Sequence, residues 1–351
     1  MARVTLQTIA DRVGVSRMSV SNAFSRPDQL SHDLREQILA VAKELGYVGP
    51  DPVARALVRG TTGAIGVLLT DSLRYAFTDE VATGFLGSVV DELAPTGLAL
   101  TLLTAEDRND VLPARDIAVD GALVYSCRPR STARDWLVRR GIPLVYVDQG
   151  PDPGISSVNV DDRGGARTAA QHLIDLGHRH IAVLTLASDA RDSGEDGSPG
   201  VPHVQRERRL GWLGALADAG IEPVAVVEAS GHADTDAAEA SNELLTLDPR
   251  PTGVVCFSDV LALGMVHAAH RNGLSVPEDL SVVGFDDSPV ATRSEPALTT
   301  IRQDVAEKGR LATELLRQAI DANRAGAPIE PRQVTLPAEL VVRGTTAPAP
   351  S

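Results

Sequence analysis

One glycine constrains the start of this chain more than any other residue. In TLQTIADRVGVSRMSVSNAFS, from Thr5 to Ser25, the residues Leu6, Ile9, Ala10 and Val13 recur at helical spacing until Gly14 interrupts them. Val15, Val20 and Phe24 then build a second helical face, with Ser16 placed as its N-cap. Two short helices around a tight glycine turn predict a helix-turn-helix, and the small Ala10 lets the helices cross closely. The second helix opens Arg17-Met18-Ser19 and carries Ser21 and Asn22. These are polar or adaptable side chains where a recognition helix presents its first residues to base edges. Read alone, the stretch also fits an ordinary helical hairpin on a surface.

The following residues extend the head. RPDQLS is a turn, and Ser31 is placed to cap a third helix running to about Leu45. Its apolar stripe is Leu34, Ile38, Val41, Ala42 and Leu45, and Gly46 ends it. Pro50 and Pro52 introduce Val53–Arg59, roughly two helical turns, which is too short to hold without a packing partner. Gly60-Thr61-Thr62-Gly63 reads as a domain boundary.

From Ala64 the pattern changes to apolar runs of strand length alternating with helical stretches. The runs are AIGVLL, LALTLL, GALVYS, PLVYVD, IAVLTL, PVAVV, GVVCF and LSVVGFDD. This alternation predicts an α/β core of doubly wound parallel sheets. About ten strands are too many for one comfortable sheet, so two similar lobes with a cleft between them are expected. The strand ends Asp71, Asp148, Ser258 and Asp286 then face that cleft.

Composition limits the function classes. The 351 residues suffice for two or three domains, and the net charge of −14 argues at first against nucleic acid. The distribution argues otherwise: residues 1–60 hold 8 Lys/Arg against 6 Asp/Glu, and the remainder holds 25 against 41. A mildly basic head on an acidic body directs DNA to one end, and so weak a head needs a dimer to neutralise enough phosphates. No run of about 18 apolar residues spans a membrane, and MARVTLQTIADRVG lacks the layout of a secretory signal, so a cytoplasmic protein is expected. Cys127 and Cys256 sit in strand-like segments and read as small buried hydrophobes.

Enzyme signals are weak. His172, His178 and His180 cluster without a guaranteed third ligand geometry, so no metal is expected. No nucleophile elbow, phosphate loop or dinucleotide glycine pattern is present, and no cofactor is expected. The pairs Asp161-Asp162 and Asp286-Asp287 lack an adjacent base or nucleophile and read as strand-end caps or ligand contacts. A solute-binding transport protein would share the core but would need a signal peptide and no head.

The order of parts resembles the LacI-type repressor family over nearly the whole chain. The matching stretches are the helix-turn-helix, LREQILAVAKELGYVGPDPVARAL, HLIDLGHRHIAVL, ERRLGW, SDVLALGMVHAAHRNGLSVPEDLSVVGFDD and PALTTIRQD. The resemblance implies a DNA-binding transcription regulator, a homodimer on a near-palindromic double-stranded operator, with a core like periplasmic binding proteins that senses a small effector. It implies residues 1–48 as the DNA-binding domain, 49–60 as a hinge and 61–345 as the core. Within the core it implies an N-lobe of 61–161 and 303–332 and a C-lobe of 162–302 and 333–345. Residues 346–351, rich in Pro and Ala, are expected to be a loose tail.

The same resemblance assigns side chains. Arg17, Met18 and Asn22 match base-reading positions: Arg17 for guanine, Asn22 for adenine, Met18 for a thymine methyl. Thr5, Ser16, Ser21 and Ser31 match phosphate contacts. Ala54, Arg55 and Leu57 match the hinge, with Leu57 as a minor-groove wedge. Phe77, Asp148, Arg208, Ser258, Asp259 and Asp286 match the effector site, with Arg208 and Asp286 as the main ligand-holding pair. Ser258 replaces the usual Asn, the segment around Ala233 lacks the usual stacking aromatic, and the acidic loop 188–202 is longer by roughly a dozen residues. A sugar or related polyol is the expected effector, with a nucleoside as the alternative.

Overall fold

The protein is described from a computed structural model that covers residues 4–49, 51–69, 74–105, 112–126, 131–187, 201–231 and 234–350. Asp71, Cys127, Ala233 and nearly all of the 188–202 loop lie outside the described residues. The chain divides into two compact units, residues 1–63 and 64–351.

The first unit is helical: α1 Leu6–Val13, α2 Arg17–Ser25, α3 His32–Glu44 and α4 Pro52–Arg59. Thr5, Ser16 and Ser31 each cap the helix that follows, accepting from the N–H of the third residue beyond. Gly14 takes φ 80°, a left-handed turn conformation that a side chain would oppose. Ile9, Ala10, Val20, Ala23, Ile38 and Ala42 meet in one small core, and Phe24 meets the Tyr47 ring edge-on at 5.6 Å. Asp51 accepts from the Ala54 N–H at the start of α4.

The second unit runs β1 Ala64–Leu69, α5 Tyr75–Thr78, α6 Glu80–Leu93, β2 Ala99–Thr104, α7 Pro113–Asp116, β3 Gly121–Tyr125, α8 Thr132–Arg139, β4 Leu144–Val147 and β5 Ser156–Val160. It continues with α9 Asp162–Asp175, β6 Ile181–Leu186, α10 His203–Asp218, β7 Val226–Ala229, α11 Asp234–Leu245, β8 Gly253–Cys256, α12 Asp259–Arg271, β9 Ser281–Val283 and α13 Pro289–Arg293. The last elements are β10 Thr300–Gln303, α14 Val305–Arg324, β11 Gln333–Leu336 and β12 Ala338–Val341.

Two parallel sheets result, ordered β11-β5-β4-β3-β1-β2 and β7-β6-β8-β9, with β10 and β12 forming a separate antiparallel pair. The buried strands read as continuous apolar runs because helices cover both faces of each sheet. In the first sheet, α6 and α14 cover one face through Phe85, Val89, Leu93, Leu315, Leu316 and Ile320. The other face packs Leu68, Leu103, Val124 and Tyr146 against Ala133 and Leu137 of α8. Burying each such large side chain stabilises the lobe by about 1.5–3 kcal/mol. No helix among the described residues is long and apolar enough to cross a membrane.

Three expectations are corrected. The segment 333–336, assigned above to the C-lobe, joins the first sheet beside β5, held by in-register pairing of Val334 with Val158 and a bond between Ser157 and Gln333. The apolar runs do not include β5, because SSVNV sets two serines and an asparagine among only two valines. The residues 346–350 of the expected loose tail are fastened: Ala349 N–H donates to Leu176 O, Ala347 N–H donates to Ser281 Oγ, and the Ala347 carbonyl accepts from Ser281. Two of the three clustered histidines serve this same segment, His172 against Thr346 at 3.0 Å and His178 against Ala347 O at 3.1 Å.

Candidate functional site

Two places in the molecule gather functional side chains. The first is the outer side of α2. Its inner side is fixed by Val20 and Ala23, so Arg17 and Met18 are turned to solvent, Met18 being 68 % exposed. Ser21 and Asn22 are half-buried, and the Asn22 amide donates to Gln29 Oε1 at 3.1 Å. Ser16 and Thr5 are exposed caps, so their hydroxyls lie at helix starts where an anion also is favoured. In α4, Ala54 and Arg55 are exposed and Leu57 is 84 % exposed. A leucine presented this way by a helix too short to persist alone is an apolar contact in search of a partner.

The second is a chain of charged groups buried between the lobes. Arg208 on α10 is buried, and its Nε donates to Asp162 Oδ1 at 2.8 Å while Nη2 donates to Asp286 Oδ1 at 3.0 Å. Its third nitrogen donates to the Phe257 carbonyl, and the guanidinium lies over the Phe285 ring, 3.5 Å from its centre. Asp286 Oδ1 also accepts from Gln303 at 2.6 Å. The Gln303 carbonyl oxygen accepts from Lys308 Nζ at 2.7 Å, and the same ammonium donates to Asp148 Oδ2 at 2.6 Å. The chain therefore runs Asp162–Arg208–Asp286–Gln303–Lys308–Asp148, from the second lobe to the first.

Backbone strain marks the same positions. Asp148 follows β4 with φ 55°, Asp286 follows β9 with φ 110°, and Ser126 and Asp287 have φ 46° and 52°. Left-handed conformations in residues with side chains cost about 1–3 kcal/mol each and persist where surrounding structure imposes them. Asp148 Oδ1 is buried and has no partner among the described residues, an acceptor held ready at a strained strand end.

Burial dominates the proton affinities here. It raises both Asp162 and Asp286 to about 6, against the pull of Arg208. It also lowers Arg208, but Asp286 and Asp162 more than offset that and leave the guanidinium raised. Asp259 is raised to about 8 by burial and by the charge of Asp286. Tyr125, stacked on Phe85 at 4.6 Å, is pushed up by burial and then by Asp148.

The expected effector residues separate into two groups. Asp148, Arg208 and Asp286 are joined by the network. No described hydrogen bond ties Phe77, Ser258 or Asp259 to it. Ser258 caps α12, accepting from Leu261 N–H at 3.3 Å. Asp259 accepts from Ser288 N–H and the Thr300 hydroxyl inside its own lobe. Phe77 is 67 % exposed on α5. Of the paired aspartates, Asp161 caps α9, and Asp287 binds Arg302 and Arg343.

Sequence reasoning missed two members, Gln303 and Lys308, and left Asp162 between a strand-end cap and a ligand contact. One signal was available: Gly309, beside Lys308, permits α14 to approach α6, since a Cβ there would meet Ser88 Oγ at 2.0 Å.

Comparison with known proteins gives a consistent picture. Residues 5–49 match "Bacterial regulatory proteins, lacI family", and residues 170–346 match "Periplasmic binding protein-like domain". The chain is 38% identical to an HTH-type transcriptional regulator of Mycolicibacterium smegmatis, over 99% of this chain and 98% of that one. The lac repressor dimer bound to operator and the anti-inducer ONPF is similar in structure, with TM-score 0.77, 26% identity, and 99% and 100% of the two chains covered. The CelR–cellobiose complex is also similar, with TM-score 0.69, 29% identity, and 98% and 100% covered.

Proposed function

Because the chain belongs to the lacI family of bacterial regulatory proteins, and is an HTH-type DNA-binding transcriptional regulator, we infer that it is a cytoplasmic, non-enzymatic homodimeric repressor of a near-palindromic operator released or retained by an uncharged polyol. The observation that carries the reading is α2: a helix fixed on its inner side by Val20 and Ala23 that offers Arg17 and Met18 to solvent. Arg17 suits guanine O6 and N7, Met18 a thymine methyl, and Asn22 adenine once it exchanges its bond to Gln29. Thr5, Ser16, Ser21 and Ser31 serve the phosphates. Residues 49–60 form the hinge, with Leu57 as the wedge and Ala54 and Arg55 beside it.

The effector reading rests on the charge chain. Asp148, Asp162 and Asp286 outnumber Arg208 and Lys308, so acceptors are in excess and an O–H-rich, uncharged ligand is favoured over an anion. The similar CelR structure is a complex with cellobiose, which supports a sugar. Ligand acts by differing affinity for two lobe arrangements, and the coupling to DNA is reciprocal.

Selection of random duplexes on the full chain, followed by gel-shift titration, tests the DNA half. An enriched near-palindrome whose affinity vanishes on deletion of residues 1–60 is expected, and no enrichment over random duplex refutes it. A thermal-shift screen of sugars and nucleosides, repeated on Arg208→Met, tests the effector half. A stabilising sugar whose shift survives in Arg208→Met removes Arg208 from the site.

A further inference from the structure

A cavity, about 560 Å³ in volume, lies off the charge chain. None of its lining residues belongs to that chain. Its floor includes Tyr146, which packs on the α8 side of the first sheet, whereas Val145 and Val147 face α14. The first lobe contributes Arg134 and Arg139 of α8 and Gln149, two residues past β4; the second lobe contributes His203 and Arg206 from the first turn of α10.

Three independent features give this basin the opposite character to the acidic chain. The α10 helix has Pro202 at its N-cap, with no side-chain cap hydrogen bond and no acidic residue in its first turn. Among the described residues no side chain caps its first N–H groups, and the helix dipole favours negative charge at this end. Gln149 is 4 % exposed, and its amide nitrogen, which can only donate, is buried with no partner among the described residues. Arg139 stacks over Trp136, and no carboxylate among the described residues pairs with it. Arg206 Nη2 faces His203 Nδ1, 3.2 Å away, and its Nε donates to Glu207 Oε1 at 3.1 Å, while burial lowers the proton affinity of the His203 ring and leaves it able to accept. Of the three arginines that line the basin, Arg134 is paired with Asp135 and Arg206 with Glu207, which leaves Arg139 as the one with no carboxylate partner among the described residues.

We propose that this basin binds a small phosphorylated metabolite, distinct from the uncharged effector of the central cleft. The phosphoryl oxygens take the α10 N–H groups, the Gln149 amide and the Arg139 and Arg206 guanidiniums. Tyr146, Val138 and Pro151 supply an apolar wall for the organic part. A cavity of this size suits a metabolite, not an ion alone. Because both lobes line it, occupancy holds α8 and α10 together and adds a second input to lobe closure.

Calorimetric titration of ribose 5-phosphate, inorganic phosphate and ribose into the full chain, at fixed ionic strength, tests this. Saturable binding of ribose 5-phosphate is expected, at least about tenfold weaker in the Arg139→Gln, Arg206→Gln double variant. Gln149→Leu, which leaves charge unchanged, should also weaken it and separates a built site from diffuse attraction. Phosphate binding as tightly as the ester assigns the site to the free ion and overturns the metabolite. No saturation by about 10 mM, or equal affinity in wild type and both variants, overturns the site itself. Operator affinity without ligand stays unchanged in all variants, so failure here is separable from failure of the regulator reading.

Discussion

Replacing Lys308 by Met gives the sharpest test of the buried charge chain. Lys308 is 1 % exposed, and its ammonium is the described partner of Asp148 Oδ2 at 2.6 Å and of the Gln303 carbonyl oxygen at 2.7 Å. Methionine has a similar stem, so packing is largely kept and the change is electrostatic. Asp148 is then left with neither oxygen paired, since Oδ1 already has no described partner. Removing one member of a buried ion pair costs about 3–5 kcal/mol, because the remaining charge stays desolvated. For a unit of this size that lowers the melting temperature by about 10 °C. Adding Asp148→Asn removes the stranded charge and keeps a residue that tolerates φ 55°. The double variant should therefore recover most of the loss, leaving about 1–2 kcal/mol. Thermal melts and urea titrations of the four proteins, followed by circular dichroism, measure this cycle. A Lys308→Met protein melting within about 2 °C of wild type, or a double variant no more stable than the single one, refutes the argument.

Further outcomes follow from other parts of the molecule. Leu57→Ala should weaken operator binding by about tenfold or more in a gel shift while leaving effector affinity intact, and unchanged operator affinity removes the wedge. Asp162 and Asp286, at about 6, and Asp259, at about 8, hold protons more tightly folded than unfolded. Their contribution is therefore full below about pH 4 and is lost as pH rises through 6 and then 8. Asp259→Asn should flatten the stability curve between pH 6 and 8, and an unaltered slope in the melting temperatures would count against it. Deleting residues 346–351 strands buried His178 and Ser281 and frees Leu176 O. It should cost about 1–3 kcal/mol in urea unfolding, and a neutral deletion would show the segment to be loose after all.

Local signals carried the head, the caps and the alternation of strand and helix. Thr5, Ser16 and Ser31 announce helix starts by bonding within their own turn, and Gly14 announces a turn by its own backbone freedom. Such features involve neighbours a few residues apart, so they are written into short stretches. The runs AIGVLL and IAVLTL are legible for a related reason: a strand covered on both faces must be apolar throughout. Strand ends pointed to Asp148 and Asp286, and the family resemblance added Arg208 and paired it with Asp286.

Tertiary structure decided everything that depends on distant partners. Gln333–Leu336 becomes part of the first sheet only because β5, far back in the chain, offers it an edge. Ser258 and Asp259 match effector positions by resemblance, and only the fold shows that their side chains also accept from Leu261, Ser288 and Thr300. Nothing local sets Lys308 apart from a surface charge, because charged residues on helices almost always are exposed, and Asp162 could equally cap a helix or meet a ligand. They are buried because α14 and α9 start at the junction of the lobes, where each finds an opposite charge from another element. A pattern along one helix records which side faces inward, but not what waits there.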